Sequence, residues 1–449
     1  MSTLHLGYCP PSEGQSISLR LPPSKSIEAR RMMLASICQQ LWARSSQEEL
    51  EQPRLCLPTL AGELELLPED LSALHMALVA SAQGQAEVCV RESGTAMRFM
   101  LAYLAATVQR PTRLVGTGRQ HQRPIAPLVD ALRLLGADIR YLEQEGYPPL
   151  LIAPATLRSR RISVDARQSS QYLSALLLIA PLLEGDCYEI APVGGAVASL
   201  PYALMTIKEM RDMGFVWQQI GDIFSYNVAS LPRLGCAALS EADWSAASYA
   251  YLMMSLLERD LVGYTTELHL PGLSLHSTQG DSQLLLGLYE GLGITSRQSG
   301  RGLILALSEP SEPEPITLDC SATPDLVPAL VASFVAMGRS FTLEGVKHLR
   351  IKESNRLEAL RVELVKLGLS LIVGDDSLSW QAVPIEPYGS DDPLVLNPHK
   401  DHRIAMALAP LMARFSSVGV LVEDAECVAK SFPAYWQELA KLGYIQTEQ

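Results

Sequence analysis

Apolar and polar positions along this 449-residue chain alternate on a long beat. Six times a short polar or charged cluster leads straight into an apolar run at helical spacing. The runs are SKSIEARRMMLASI from Ser24, SGTAMRFMLAYLAA from Ser93, SSQYLSALLLIAPLL from Ser169, SAASYAYLMMSLL from Ser245, DLVPALVASFVAMG from Asp325 and DHRIAMALAPLMARF from Asp401. Each begins with a Ser or Asp suited to capping a helix. Successive starts are 69, 76, 76, 80 and 76 residues apart. A second set of helices keeps the same period: LVDALRLLG, LMTIKEMRDMG, LLLGLYEGLG, LEALRVELVKLG and YWQELAKLG. They stop at Gly136, Gly214, Gly293, Gly368 and Gly443, spaced by 78, 79, 75 and 75 residues, and strand-like runs such as ADIRYLE or LSLIVGD follow. Periods above about 50 residues exceed those of ordinary solenoids. The chain therefore reads as six copies of a compact α/β unit.

Two domains of three units are the natural division at this length. One spans residues 23–241; the other spans 242–449 and is completed by 1–22. The opening HLGYCPPSEGQSISLRLP reads as strand, turn and strand. Residues 44–72 are acidic and interrupted by proline, which predicts surface loop and short strand, and DLSALHMALVASAQG adds an amphipathic helix carrying His75 at its surface or half-buried.

Composition narrows the class. Apolar residues make up 48% of the chain, enough to fill both cores, yet no run is long and charge-free enough to span a bilayer. The N-terminus has neither a basic n-region nor an Arg-rich transit character, so a cytoplasmic protein is expected. Eight cysteines are scattered without a CxxC pair, which favours reduced thiols over disulfides or zinc. A formal charge of −13 argues against general nucleic-acid binding. Small anions remain possible partners, because cations gather at the helix starts.

Pro22 and Pro23 place Lys25, Ser26 and Arg30 at a helix N-terminus, where free N–H groups and the helix dipole favour a phosphate or carboxylate. Gly94 and Thr95 let backbone approach a ligand closely. VGTGRQHQRPIAPLV brings Arg119 and Arg123 to a proline-opened helix, and lacks both a Walker loop and a complete dinucleotide fingerprint. Ser169, Ser170 and Gln171 are neutral donors for a phosphate or for sugar-like hydroxyls, a theme repeated by Ser199 and Tyr202. Asp325 stands at a helix start as an N-cap candidate. Lys352, Glu353 and Arg356 fall within five residues, Asp401, His402 and Arg403 open another helix, and Lys430 precedes the last. If these ends face one cleft, that cleft is cationic and takes at least two anionic ligands.

PPSKSxxxR, SGTAMRF, RPI, SSQYLSALL, a Pro-Asp before a helix, KESNR, DHRIAMA and AKSFPAYW occur in this order along nearly the whole chain. Together they closely resemble the EPSP synthase family of the shikimate pathway. The resemblance implies an α/β fold of two globular domains, each of three βαβαββ repeats (an inverse α/β barrel), with the chain crossing near Leu21 and Ala242 and a ligand cleft between them. It implies transfer of an enolpyruvyl group from phosphoenolpyruvate to the 5-hydroxyl of shikimate 3-phosphate, by a monomer, without metal or organic cofactor. Carried across by motif, Lys25, Ser26, Arg30, Ser169, Ser170, Gln171, Ser199, Asp325 and Lys352 meet shikimate 3-phosphate. Lys25, Gly94, Arg123, Gln171, Arg356, Arg403 and Lys430 hold phosphoenolpyruvate. Asp325 and Glu353 are the catalytic acid–base candidates, with Lys25 assisting.

The chain departs from the family pattern at several points. Glu92-Ser93-Gly94-Thr95 stands where Asn-Ala-Gly-Thr is usual, and a carboxylate there repels an anion unless Arg91 or Lys25 neutralises it. KESNR replaces KETDR, His348 stands where an Asn is frequent, and SIEAR with Glu28 replaces SISNR. Gly94 matches the form associated with sensitivity to glyphosate. Two alternatives stay open: a UDP-N-acetylglucosamine enolpyruvyl transferase of the same architecture, against which Lys25-Ser26 and the SSQ run argue, and a non-catalytic anion-binding relative.

Overall fold

The computed structural model describes residues 3–9, 14–44, 67–197, 200–227, 241–257, 266–310 and 315–448. Within them the sequence repeat becomes a repeat of sheets. Five four-stranded sheets share one strand order. In one of them, Ile316–Asp319 pairs in parallel with Phe341–Glu344, Ser377–Trp380 runs antiparallel beside the latter, and Ile372–Val373 closes the edge. A parallel pair needs a crossover, which the Val327–Ala336 helix supplies, and the Arg356–Val365 helix leads on to the edge strand. That is one βαβαββ unit.

The two N-terminal strands do not pair with each other. Leu4–Tyr8 lies antiparallel between Val420–Val422 and Tyr444–Glu448, in the sheet of the last unit. Ser16–Ser18 adds in parallel to Glu267–Pro271, in the sheet of the fourth. Each thus supplies the strand that its sheet lacks.

The described residues form two compact units. One runs up to Ser24, takes in Leu67 and Pro68 and continues from Glu241 onward; the other covers the described residues of 25–44 and 69–227. Pro22–Ser24 pairs with Glu241–Asp243: Ser24 N–H donates to the Glu241 carbonyl at 2.8 Å and Asp243 N–H to the Pro22 carbonyl at 2.9 Å. Buried Gln279 braces the pair, accepting from the Ser24 hydroxyl (2.8 Å) and Trp244 N–H (3.0 Å) and donating to the Ala242 carbonyl (2.9 Å).

Five of the six helices predicted from polar clusters are buried nearly all round, and Lys25–Arg44, with nine of its twenty residues buried, is the exception. Nine of the ten residues of Val327–Ala336 and twelve of the thirteen of His402–Arg414 are buried. A helix sunk on every side can present polar chemistry only at its ends. Ser93, Ser169 and Asp401 cap their helices, accepting N–H groups at 3.2, 3.3 and 3.0 Å. Two expected caps differ. Asp243, two residues ahead of Ser245, caps Trp244–Leu256, and the N-cap position of Val327–Ala336 is Leu326, so Asp325 stands one residue ahead of the cap. The five helix-ending glycines all have positive φ, from 74° at Gly368 to 110° at Gly136. No helix among the described residues is long and apolar enough to cross a membrane. Ser199 lies outside the described residues, as does most of the acidic stretch expected as loop and short strand.

Candidate active site

In the unit that begins at Lys25, three helix starts carry the polar residues. Lys25 opens the Lys25–Arg44 helix with its Nζ 3.0 Å from Asp70 Oδ2. Arg30, a turn further on, is buried. Its Nε donates to Thr206 Oγ1 (2.7 Å), Nη1 to the Ser26 carbonyl (2.6 Å), and Nη2 to Ser174 Oγ (3.2 Å) and the Tyr202 carbonyl (2.7 Å). Burial pulls its pKa down to about 10, partly offset by Tyr202 and Glu209, so it stays charged at neutral pH. With four bonds inside its own unit, Arg30 braces the first turn and fixes Ser26. Glu28 turns to Arg31 at 3.4 Å.

Gly94 opens the Gly94–Thr107 helix, and the Arg123 guanidinium lies against it. A Cβ on Gly94 would sit 2.8 Å from Arg123 Nη2, so only glycine lets this cation reach the helix N-terminus. Arg98, unmarked by sequence reading, pins both segments: Nη1 donates to the Gly94 carbonyl at 3.0 Å and Nη2 to the Pro124 carbonyl at 3.2 Å. Tyr172 OH donates to the same Pro124 carbonyl at 2.7 Å, and Gln171 Nε2 to Thr95 Oγ1 at 2.9 Å. The structure therefore brings Gly94, Thr95, Arg123 and Gln171 together, with Ser169 and Ser170 at the start of the same helix as Gln171. The Glu92 carboxylate lies against Gly118, while Lys25 pairs with Asp70.

In the other unit the charges interlock. Arg356, with 1% of its side chain exposed, binds three carboxylates: Nε to Asp401 Oδ2 (2.9 Å), Nη1 to Asp325 Oδ1 (2.9 Å) and Nη2 to Glu353 Oε2 (2.7 Å). Burial alone would lower its pKa, but Asp401, Glu353 and Asp325 together outweigh it and hold the guanidinium above the ordinary arginine value. Arg403 donates from Nη2 to Asp325 Oδ2 at 2.9 Å and from Nη1 to the Asp325 carbonyl at 3.1 Å. Lys430 Nζ stands 3.6 Å from Glu353 Oε1. Arg356, Arg403 and Lys430 thus interlock with the three carboxylates Asp325, Glu353 and Asp401.

Lys352 follows the short Lys347–Ile351 helical turn, which is tied down by Lys347 N–H to Asp376 Oδ1 (2.6 Å) and by Arg350 Nη2 to the Gly374 carbonyl (2.6 Å). His348 sits on that turn with Nε2 buried and without a hydrogen-bond partner among the described residues. Burial, then the neighbouring Lys352, pushes its pKa down to about 4, so the ring is neutral at physiological pH. Behind Asp325, the buried carboxyl of Asp281 accepts from the Ser245 hydroxyl. Burial lifts its pKa to about 7; the Ser245 bond opposes the rise, and Asp325 and Asp243 add to it.

Comparison with known proteins agrees with the motif order. The family described as EPSP synthase (3-phosphoshikimate 1-carboxyvinyltransferase) matches residues 11–439. The protein named 3-phosphoshikimate 1-carboxyvinyltransferase from Bacteroides fragilis is 32% identical over 430 residues, covering 95% of each chain. Its namesake from Syntrophobacter fumaroxidans is 34% identical over 445 residues, covering 96% of this chain and 98% of its own. Among solved structures, EPSP synthase from Acinetobacter baumannii aligns over 100% of both chains with a TM-score of 0.69 at 18% identity. The enolpyruvyl transferase NikO from Streptomyces tendae gives 0.69 at 13% identity, covering 100% of this chain and 99% of its own. At those identities the structures speak for the fold, which is the α/β fold of the enolpyruvyl transferases. Family match, curated relatives and fold coincide along almost the entire sequence, and the chain belongs to the EPSP synthase family.

Proposed function

We infer that this chain transfers the enolpyruvyl group of phosphoenolpyruvate to the 5-hydroxyl of shikimate 3-phosphate, releasing phosphate, as a step of aromatic amino acid biosynthesis. The observation that supports it best is Asp325 held between Arg356 and Arg403, with Glu353 between Arg356 and Lys430. Addition of an alcohol across an enol phosphate forms a C–O bond to the phosphate-bearing carbon, and needs a proton delivered to the methylene carbon while another group removes the hydroxyl proton. Departure of phosphate then returns the methylene proton to a base, the C–O bond to phosphate breaks, and the double bond is restored. Both Asp325 oxygens accept charge-assisted bonds, which keep the carboxylate ionised and oriented, the form in which it can take the hydroxyl proton. Glu353, with Lys25 assisting, serves the methylene carbon.

The flanking cations orient two polyanions and stabilise the departing phosphate. Lys25, Ser26, Ser169, Ser170, Gln171, Ser199, Asp325 and Lys352 serve shikimate 3-phosphate, with Arg30 fixing Ser26 from behind. Lys25, Gly94, Arg123, Gln171, Arg356, Arg403 and Lys430 serve phosphoenolpyruvate. The 23–241 lobe is the acceptor side; the 242–449 lobe, completed by 1–22, carries the acids. The working form is a cytoplasmic monomer, which size-exclusion chromatography checks: elution as a dimer would overturn it.

Phosphate release is the deciding assay. With phosphoenolpyruvate, shikimate 3-phosphate should support turnover and UDP-N-acetylglucosamine should not. Release with the nucleotide alone would move the assignment to the sister activity, and release with neither would leave an anion-binding relative.

A further inference from the structure

The turn leading into the His402–Arg414 helix is built against the preference of its backbone. His399 and Lys400 have φ of 54° and 58°, so two side-chain-bearing residues in succession occupy the left-handed region without a glycine. Asp401 follows at once, capping the helix and accepting from Arg356 Nε at 2.9 Å and Ser354 Oγ at 3.0 Å. Two residues later Arg403 reaches Asp325. The path of residues 397–400 therefore decides where Asp401 and Arg403 point.

Glu363 holds that path. Its side chain is 1% exposed. Oε2 accepts the Asn397 N–H at 3.1 Å and the Lys366 ammonium at 2.6 Å, and Oε1 meets the His399 ring at 3.0 Å. Lys366 also donates to the Val395 carbonyl at 2.8 Å, and the Asn397 side chain accepts His399 N–H at 2.7 Å. Glu363 follows Arg356 by seven residues, two turns along the Arg356–Val365 helix and on the same face. One helix thus grips the turn twice, with Arg356 on Asp401 and Glu363 on Asn397 and His399. Burying a carboxylate is a poor way to gain stability alone, since apolar packing does as well, and its use here fits a requirement for geometry. Residues in sparsely populated backbone regions persist where their surroundings over-determine them.

We propose that Glu363 is a positioning residue of the carboxyvinyl transfer: it clamps the left-handed turn at His399–Lys400 and so aims Asp401 and Arg403. The role rests on the enolpyruvyl-transfer reading above. The test compares the full chain with Glu363→Ala, Glu363→Gln and Glu363→Ala/Lys400→Gly. Glu363→Ala should lower kcat/KM for phosphoenolpyruvate by about tenfold or more, while KM for shikimate 3-phosphate changes by less than about threefold. Glu363→Gln, whose amide oxygen still accepts from Asn397, should keep most of the activity. Adding Lys400→Gly to Glu363→Ala should restore part of it, because glycine adopts positive φ without the side-chain penalty. A general weakening of the helix would not respond to a glycine in the turn.

Hydrogen exchange gives a readout independent of turnover. The amides of Asn397 and Arg403, which donate to Glu363 and Asp401, should exchange faster in Glu363→Ala. Unchanged exchange with kcat/KM within about twofold of the parent would overturn the proposal, as would a loss that neither Gln nor Gly repairs. If the unmodified chain released no phosphate, the functional reading would fail, and exchange would still decide whether the clamp exists.

Discussion

Asp325 stands one residue ahead of a helix cap, and its carboxylate reaches far along the chain, 31 residues to Arg356 and 78 to Arg403. Replacing it by alanine would take a charge partner from two buried guanidinium groups, at a cost of up to about 3–5 kcal/mol, and would confuse folding with catalysis. Asp325→Asn keeps the shape and removes the base. Turnover should fall by about two orders of magnitude or more, with shikimate 3-phosphate affinity changed far less; steady-state kinetics beside a binding titration checks this, and equal losses in both would refute the assignment. Gly94 allows a second test. A methyl group there meets the end of a flexible Arg123 side chain, so Gly94→Ala should fold normally and displace that guanidinium. KM for phosphoenolpyruvate should rise by about tenfold, the scale of one charge-assisted contact, with the melting temperature nearly unchanged. An unaltered KM would mean that Arg123 does not serve this substrate.

At the scale of elements, the readable signals are local ones. Gly136, Gly214, Gly293, Gly368 and Gly443 were marked as helix-ending residues, and every one takes positive φ, because a backbone that must turn left-handed selects against a Cβ at that position. Gly368 isolates the effect. Nothing lies within 4 Å of a Cβ placed there, yet its φ is 74°. Gly368→Ala should therefore cost about 1–2 kcal/mol from backbone strain alone, seen as a lower denaturant midpoint with unchanged m-value. A neutral substitution would show that the helix end can relax. The caps at Ser93, Ser169 and Asp401 were legible for the same reason. Those at Asp243 and Leu326 were not, since a polar residue near a helix start can cap or can reach out sideways, and only its neighbours in space decide. Ser245 reaches Asp281 and Asp325 reaches two arginines.

At the scale of the whole molecule, a buried carboxyl and a half-buried imidazole among the described residues titrate in opposite senses within the same unit. Asp281 has its folded pKa raised from 3.8 to about 7, so the stability it contributes is full below about pH 4 and is lost as pH rises through 7. His348 has its folded pKa lowered from 6.5 to about 4, so its contribution is full above pH 6.5 and is lost as pH falls toward 4. The two oppose each other between about pH 4 and 6.5, and above that only Asp281 still changes. Asp281→Asn should abolish the decline in unfolding midpoint as pH rises from 6.5 through 7 and, with nothing left to oppose His348, expose a loss of stability as pH falls from 6.5 toward 4. An unchanged alkaline decline would assign it to another group.

Sequence alone determined the period of the repeat, the positions of most helices, the polar ends at which chemistry would sit and the family to which the motifs point. All of these rest on contacts within a few residues, where capping, φ preference and apolar spacing act directly. Tertiary structure decided which distant elements meet. It sent the two N-terminal strands to separate sheets, turned Arg30 inward against Thr206 and Ser174, joined Arg356 to Asp401 across 45 residues and set Glu363 beneath a strained turn. A side chain's charge is written in the chain, but its partner is chosen by burial, which makes an unpaired ion costly and leaves one packing in which the charges are satisfied.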